Sequence, residues 1–118
     1  MVVDRELDDA QVDQIFHALA AATRRDILRR TLTHEESVSE LARHYPMSFA
    51  AVQKHVAVLE AAELIVKRAE GRERLVRADP TTIARARNLL DQYEELWRGR
   101  VKRLDALLAE PPASNEGD

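Results

Sequence analysis

The sequence predicts a mainly α fold carrying one small β-hairpin, on three observations. Ala, Leu, Arg and Glu are abundant while aromatic residues make up 4% of the chain, a balance that favours helix over sheet. Apolar residues recur at three- and four-residue spacing in five separate stretches, the period of a helix with one buried face. Between the fourth and fifth stretches, LIVKRAEGRERLVRAD sets two β-branched runs about a glycine, the pattern of a hairpin.

Residues 1–8 are polar and expected to be loose, and one domain is expected over 9–109. From Asp9 the positions Val12, Ile15, Phe16 and Leu19 predict a first helix, ending in the alanine run Ala20–Ala22. Thr23 with Asp26 three residues on resembles a capping box in its aspartate form, opening a second helix that carries Ile27, Leu28 and Leu32. Thr33–Glu36 is polar and loop-like. Ser37 and Glu40 then form a capping box, each satisfying the other's orphan backbone donor. The helix they open turns Val38, Leu41 and Ala42 inward and is stopped by Pro46, which lacks a backbone donor.

Ser48 is a good N-cap for the next helix, about 48–61, with Val52, Val56 and Leu59 on its apolar face. Two helices joined by so short a turn make a helix-turn-helix, whose second helix fits a DNA major groove. Leu64-Ile65-Val66 and Leu75-Val76-Arg77 are strand-like, with the turn at Glu70-Gly71-Arg72. This hairpin, about 65–78, gathers Lys67, Arg68, Arg72, Arg74 and Arg77. A helix-turn-helix followed by a basic hairpin is a winged helix-turn-helix. Asp79-Pro80 starts the last helix, a cap followed by proline at the first helical position. It is expected to reach about Ala109 and end at Pro111-Pro112, leaving 110–118 as a disordered acidic tail.

That last helix carries a near-heptad seam: Ile83, Ala86, Leu90, Tyr93, Trp97, Val101, Leu104 and Leu108. So long a stripe needs more apolar partner surface than one small domain offers. It predicts a homodimer held by Leu90, Tyr93, Trp97, Val101 and Leu104, with Ile15, Phe16 and Leu19 of the first helix beside them. Two-fold symmetry would let two reading helices meet half-sites about one turn apart, ~34 Å.

Composition narrows the function classes. With no cysteine there is no disulfide, thiolate metal site or cysteine nucleophile. Three glycines, none in a phosphate loop or nucleophile elbow, and no paired acid–base constellation argue against an enzyme. No apolar run approaches the roughly 18 residues of a membrane span, and MVVDRELDDA lacks a signal pattern, so a cytoplasmic protein is expected. Net charge is −3, against the trend for DNA binding. The acids crowd the two ends, however, away from the basic hairpin.

The residues expected to meet DNA are Ser48, Phe49, Ala50, Gln53, Lys54 and His55 on the reading helix, with Arg68, Arg72 and Arg74 in the hairpin. Gln53 can pair with adenine and Lys54 with guanine, while Phe49 or Ala50 can touch a thymine methyl. Phe49 is equally open to packing in the core, and His55 to helix packing. Arg72 and Arg74 suit phosphates or the minor groove.

The run SFAAVQKHVAVLEAAELIVKRAEGRERLVRAD, with IFHALAAATRRDIL near the start, resembles the ArsR-type winged-helix repressors of bacteria and archaea. The resemblance spans roughly Val12 to Leu108 and is most specific at Ser48, Val52, Lys54-His55, Leu59 and Gly71-Arg72. It implies the order α-α-α-α-β-β-α and a dimeric repressor on an imperfect palindrome near a promoter. Ala21-Ala22 stand where the family usually has Asp-Pro. Many such repressors sense metals. Where one family site has a Cys-x-Cys, this chain has Ser37 and Ser39, poor ligands for thiophilic metals. The site on the family's last helix uses Asp and His, but 82–108 holds no histidine, and Asp91, Glu94, Glu95 and Asp105 suit a solvated face. His17, His34, His44 and His55 show no ligand spacing, so no metal and no cofactor are expected.

The expected function is therefore sequence-specific transcriptional regulation by a homodimeric repressor on palindromic double-stranded DNA. The alternative is a winged helix kept as a protein–protein module without DNA binding. A small-molecule or protein effector at the dimer interface, near Tyr93 and Trp97, is compatible with the first.

Overall fold

The computed structural model describes residues 7–109. The chain divides into two compact units, one within Met1–Ala86 and one within Arg87–Asp118. The element order is α1 (Asp9–Leu19), α2 (Ala22–Thr33), β1 (Glu36–Ser37), α3 (Val38–Ala42), α4 (Phe49–Ala61), β2 (Ile65–Glu70), β3 (Glu73–Ala78) and α5 (Pro80–Ala109). The expected end of the last helix at Pro111-Pro112, the tail 110–118 and most of the loose start lie outside the described residues.

The first unit is built on one apolar core. Ile15 and Ala18 of α1, Ile27 and Leu28 of α2, and Val38 and Leu41 of α3 enter it from one part of the chain. Val52, Val56 and Leu59 of α4, Leu64, Ile65 of β2 and Val76 of β3 complete it. Full burial of a branched aliphatic side chain stabilises by about 1.5–3 kcal/mol, so this set outweighs the polar contacts around it. Ile83 and Ala86, in the first turns of α5, pack against the same core.

α1 opens on a capping box that the sequence reading did not include: Gln11 N–H donates to Asp8 Oδ1 at 2.8 Å and Asp8 N–H to Gln11 Oε1 at 2.9 Å. Its end needs no glycine or proline. The guanidinium of Arg24 donates to the carbonyls of His17 and Ala18, each at 2.9 Å, and Arg25 donates to Leu19 O at 2.8 Å. These side chains take over carbonyls that a continuing helix would satisfy. Ala21 is extended, with φ −120 and ψ 134, and α2 begins at Ala22. Thr23 is thus inside α2 rather than its cap, and no side chain caps α2. Asp26 is taken by Arg29, Arg30 and Tyr45, partners that bind a carboxylate more strongly than a neutral amide does.

The segment Thr33–Glu36, expected as loop, ends in a strand. Glu36 pairs with Val76 and Ser37 with Leu75, giving a three-stranded antiparallel sheet of order β1-β3-β2. Two residues cannot announce a strand locally; the ladder comes from β3, far along the chain. Ser37 then caps α3 through the expected box, with Glu40 N–H on Ser37 Oγ at 3.0 Å and Ser37 N–H on Glu40 Oε1 at 2.8 Å.

α4 starts at the expected place, with Ser48 Oγ accepting from Ala51 N–H at 3.1 Å. It ends in a Schellman motif: Leu64 N–H reaches Leu59 O at 3.0 Å and Glu63 N–H reaches Glu60 O at 2.9 Å. Glu63 occupies the left-handed position, φ 61. The β2–β3 hairpin pairs Ile65 with Ala78 through to Glu70 with Glu73. Its two-residue turn has positive φ at Gly71 (62°) but not at Arg72, which is the type II′ arrangement and favours glycine first. Asp79 Oδ1 accepts from Thr81 N–H at 3.0 Å, so α5 begins with the cap and proline that Asp79-Pro80 predicted.

The second unit is the remainder of α5. Leu90, Tyr93, Leu96, Trp97, Leu104, Leu107 and Leu108 are all exposed along it, between 47% and 84%. Arg100 lies over the Trp97 ring at 5.9 Å, and Arg98 pairs with Glu94 at 3.0 Å.

Candidate nucleic-acid interface

The start of α3, the first two turns of α4 and the tip of the wing enclose an open cleft of about 410 Å³. Ser39, Phe49, Gln53, Lys67, Arg72 and Arg74 are among the side chains that line it. Apolar packing of Val52, Val56 and Leu59 fixes the inner face of α4, and helical geometry then turns its other faces to solvent. Ser48, Phe49, Ala50, Gln53 and Lys54 are exposed. Phe49, which could have packed in the core, is instead 46% exposed at the mouth of the cleft.

The basic residues of the wing fall into two groups. Arg68 is tied down: its guanidinium donates to Glu35 at 3.0 and 3.1 Å and meets Glu70 at 2.8 Å. These carboxylates raise its pKa further above the ordinary arginine value. Lys67 pairs with Glu60 at 3.2 Å. Arg72 and Arg74 are exposed, and among the described residues neither forms a hydrogen bond or ion pair. Free guanidinium groups beside an exposed helix N-terminus can take phosphate oxygens in bidentate fashion. The positive end of the helix dipole adds to the attraction.

His55 lies elsewhere. Its ring is half-buried and its Nδ1 meets Arg24 Nη1 at 3.1 Å. Burial first, and the Arg24 charge second, push its pKa below the ordinary histidine value. Of the residues expected at DNA, Ser48, Phe49, Ala50, Gln53, Lys54, Arg72 and Arg74 thus share one exposed region, while Arg68 and His55 are held by protein partners. Ser39 joins the cleft as well, where the sequence reading weighed it only as a weak metal ligand. Arg24 carries no signal in the sequence, because its partner is 31 residues away and no local pattern links them.

Of the residues expected at a dimer seam, Ile15 is the exception. At 1% exposure it is spent in the core of its own unit, since the α1 face that meets α2 and α4 includes it. Phe16 is 42% exposed and Leu19 half-buried. On α5, Leu90, Tyr93, Trp97 and Leu104 are exposed and Val101 half-buried.

Ser37 Oγ is committed to the α3 cap, and Glu36 beside it is a buried carboxylate met by His34 Nε2 at 3.0 Å and His44 Nε2 at 3.2 Å. Among the described residues, no group of three or more His, Asp or Glu side chains is arranged to hold a metal ion. No described helix is long and apolar enough to cross a membrane.

Comparison with known proteins agrees with this architecture. No family model matches the chain. It is 41% identical over 81 residues to the HTH-type transcriptional regulator Rv2034 of Mycobacterium tuberculosis, covering 69% of this chain and 76% of that protein. A crystal structure of an ArsR family transcriptional regulator superposes with a TM-score of 0.74 at 31% identity, covering 80% of this chain and 97% of the other. An ArsR-like transcriptional regulator from Rhodococcus sp. RHA1 gives a TM-score of 0.75 at 29% identity, covering 87% and 96%. These are regulators rather than enzymes, and their fold is the winged helix-turn-helix built here by α3, α4 and the β2–β3 wing. The chain belongs to the ArsR family of winged helix-turn-helix transcriptional regulators.

Proposed function

We propose that this protein is a homodimeric repressor that reads a palindromic operator with the first turns of α4 and steadies itself on phosphates with its wing. The observation that carries the reading is the sorting of the basic residues. Among the described residues Arg72 and Arg74 have no hydrogen-bond or ion-pair partner and line one cleft with exposed Phe49 and Gln53, while Lys67 and Arg68 are neutralised by Glu60, Glu35 and Glu70. Such sorting focuses positive charge where a duplex would lie, in a chain whose net charge is −3.

In this reading Gln53 pairs with an adenine edge, Lys54 with guanine, and Phe49 or Ala50 packs on a thymine methyl. The exposed apolar side chains of α5 between Leu90 and Leu108 support dimerisation, because so much exposed leucine and tryptophan on one helix is unfavourable in a lone chain. A small-molecule or protein effector at that interface is compatible with this role, and a cytoplasmic location suits it. Fluorescence anisotropy with DNA from the protein's own promoter, beside scrambled DNA of equal length and at several salt concentrations, tests the proposal. Tight promoter binding with weak, steeply salt-dependent control binding supports it. Equal weak binding to both, and no enrichment from random-sequence duplexes, would favour a protein–protein module instead.

A further inference from the structure

We propose that Arg24 is a positioning residue for DNA reading, which fastens the recognition helix to the last turn of α1 through the ring of His55. This role rests on the DNA-binding reading above. Arg24 uses three edges of one planar group: Nε donates to Ala18 O at 2.9 Å, Nη2 to His17 O at 2.9 Å, and Nη1 meets His55 Nδ1 at 3.1 Å. One rigid fork therefore joins α1 to α4, and His55 directly follows Gln53 and Lys54 on α4. The apolar contacts of Val52, Val56 and Leu59 hold α4 down but are non-directional. A hydrogen bond to a ring two residues from Gln53 fixes the helix about its own axis, which decides where Gln53 points.

The chemistry of the contact fixes the state of the ring. A guanidinium has donors and no acceptor, so Nδ1 must be the acceptor and the imidazole must be neutral with its proton on Nε2. Protonation would set donor against donor and charge against charge. Burial and the Arg24 charge already oppose it, and push the pKa of His55 down. α4 packs against α1, α2, α3 and β2. Among the described residues, Asp13 and His17 of α1, Asp26 of α2, Glu40 of α3 and Lys67 of β2 make no bond to the ring, so Arg24 is the charged group that faces it. The sign of the pH effect follows. Sequence-specific binding should weaken as pH falls below the ordinary histidine value of 6.5, whereas a His55 that contacted phosphate would strengthen it.

The experiment uses the full chain, an operator duplex enriched from random sequence, and a scrambled duplex, with anisotropy read from about pH 5.5 to 8. Arg24→Gln is expected to bind the operator about tenfold more weakly at pH 7.5, the loss expected of one charge-assisted bond, with binding to the scrambled duplex within about twofold of wild type. Arg24→Lys, which keeps the charge but not the planar fork, should fail to restore the operator affinity. Wild-type operator binding should fall towards pH 5.5, and His55→Gln, whose amide oxygen accepts but does not titrate, should flatten that profile. Nitrogen-15 spectra of the free protein should show His55 Nδ1 as the unprotonated ring nitrogen. Should Arg24→Gln not fold, the His55→Gln profile and the ring spectra decide. Wild-type affinity in both Arg24 variants, tighter operator binding in acid, or a proton on Nδ1 would overturn the proposal while leaving DNA binding intact. A wild-type protein that binds no duplex would overturn the DNA reading itself and this role with it.

Discussion

The phenol of Tyr45 donates to a carboxylate oxygen of Asp26 over 2.5 Å, linking the turn of the helix-turn-helix to the middle of α2. The same carboxylate oxygen takes Arg30 Nε at 2.9 Å, and the Tyr45 and Arg30 bonds hold the Asp26 carboxyl below the ordinary aspartate value of 3.8. Burial, with Asp26 second, pushes the Tyr45 phenol up to about 12.

Tyr45→Phe should therefore destabilise the fold by about 1.5–3 kcal/mol, the range for a hydrogen bond to a charged acceptor. The pH dependence has a definite sign. Because the folded pKa of Asp26 lies below its unfolded value, its contribution is complete above pH 3.8 and is lost as pH falls further. Urea unfolding of both proteins at neutral and acid pH checks this: the difference between them should be largest at neutral pH and shrink in acid. A constant difference would mean that the tyrosine acts only through packing.

Glu63→Gly should stabilise the protein. Glu63 sits at φ 61, where a side chain costs about 1 kcal/mol that glycine avoids. Its backbone groups, not its side chain, carry the local contacts: the N–H closes the end of α4, and the carbonyl accepts from Thr82 Oγ1 at 2.6 Å. A thermal melt should rise by roughly 4–8 °C, the shift that about 1 kcal/mol gives in a domain of this size. A fall in the midpoint would show that the carboxylate has a role the contacts do not reveal.

Arg72→Ala should weaken binding to operator and scrambled DNA alike and lower the salt slope by about one unit. Gln53→Ala should act differently, relaxing preference at one base-pair position and leaving the salt slope unchanged. Anisotropy titrations across a salt series separate the two. If Arg72→Ala leaves affinity and slope as they were, the wing has no part in binding.

Trp97→Asp or Leu104→Glu should convert a dimer to monomer without unfolding the first unit, since both side chains are exposed on α5, 59% and 47%. Burying a carboxylate at an apolar interface without a partner costs several kcal/mol. Sedimentation velocity at micromolar concentration gives the mass, and circular dichroism checks that helix is retained. A wild-type protein that sediments as monomer would remove the dimer from the account.

Much of the fold was legible because it rests on local signals. Ser37 and Glu40 are three residues apart, as a capping box requires, and Ser48, Asp79-Pro80 and Gly71 each carry their own stop or start chemistry. The 3.6-residue period of Val52, Val56 and Leu59 determined which face of α4 is buried, and so which residues are left for a ligand. The exposure of Gln53 and Lys54 on α4 follows from that spacing. What the tertiary structure decided is pairing across the chain. β1 exists because β3 offers it a ladder, not because Glu36 and Ser37 favour extension. The break after α1 comes from Arg24 and Arg25 reaching back to free carbonyls, which no propensity encodes. Arg68 looked like Arg72 in the sequence and differs only because Glu35 and Glu70 lie against it. Ile15 and Phe16 are neighbours on one amphipathic stripe, yet one fills the core and the other is exposed. Periodicity gives the direction of a side chain from its own helix axis, but which partner stands in that direction depends on contacts between residues far apart in the chain.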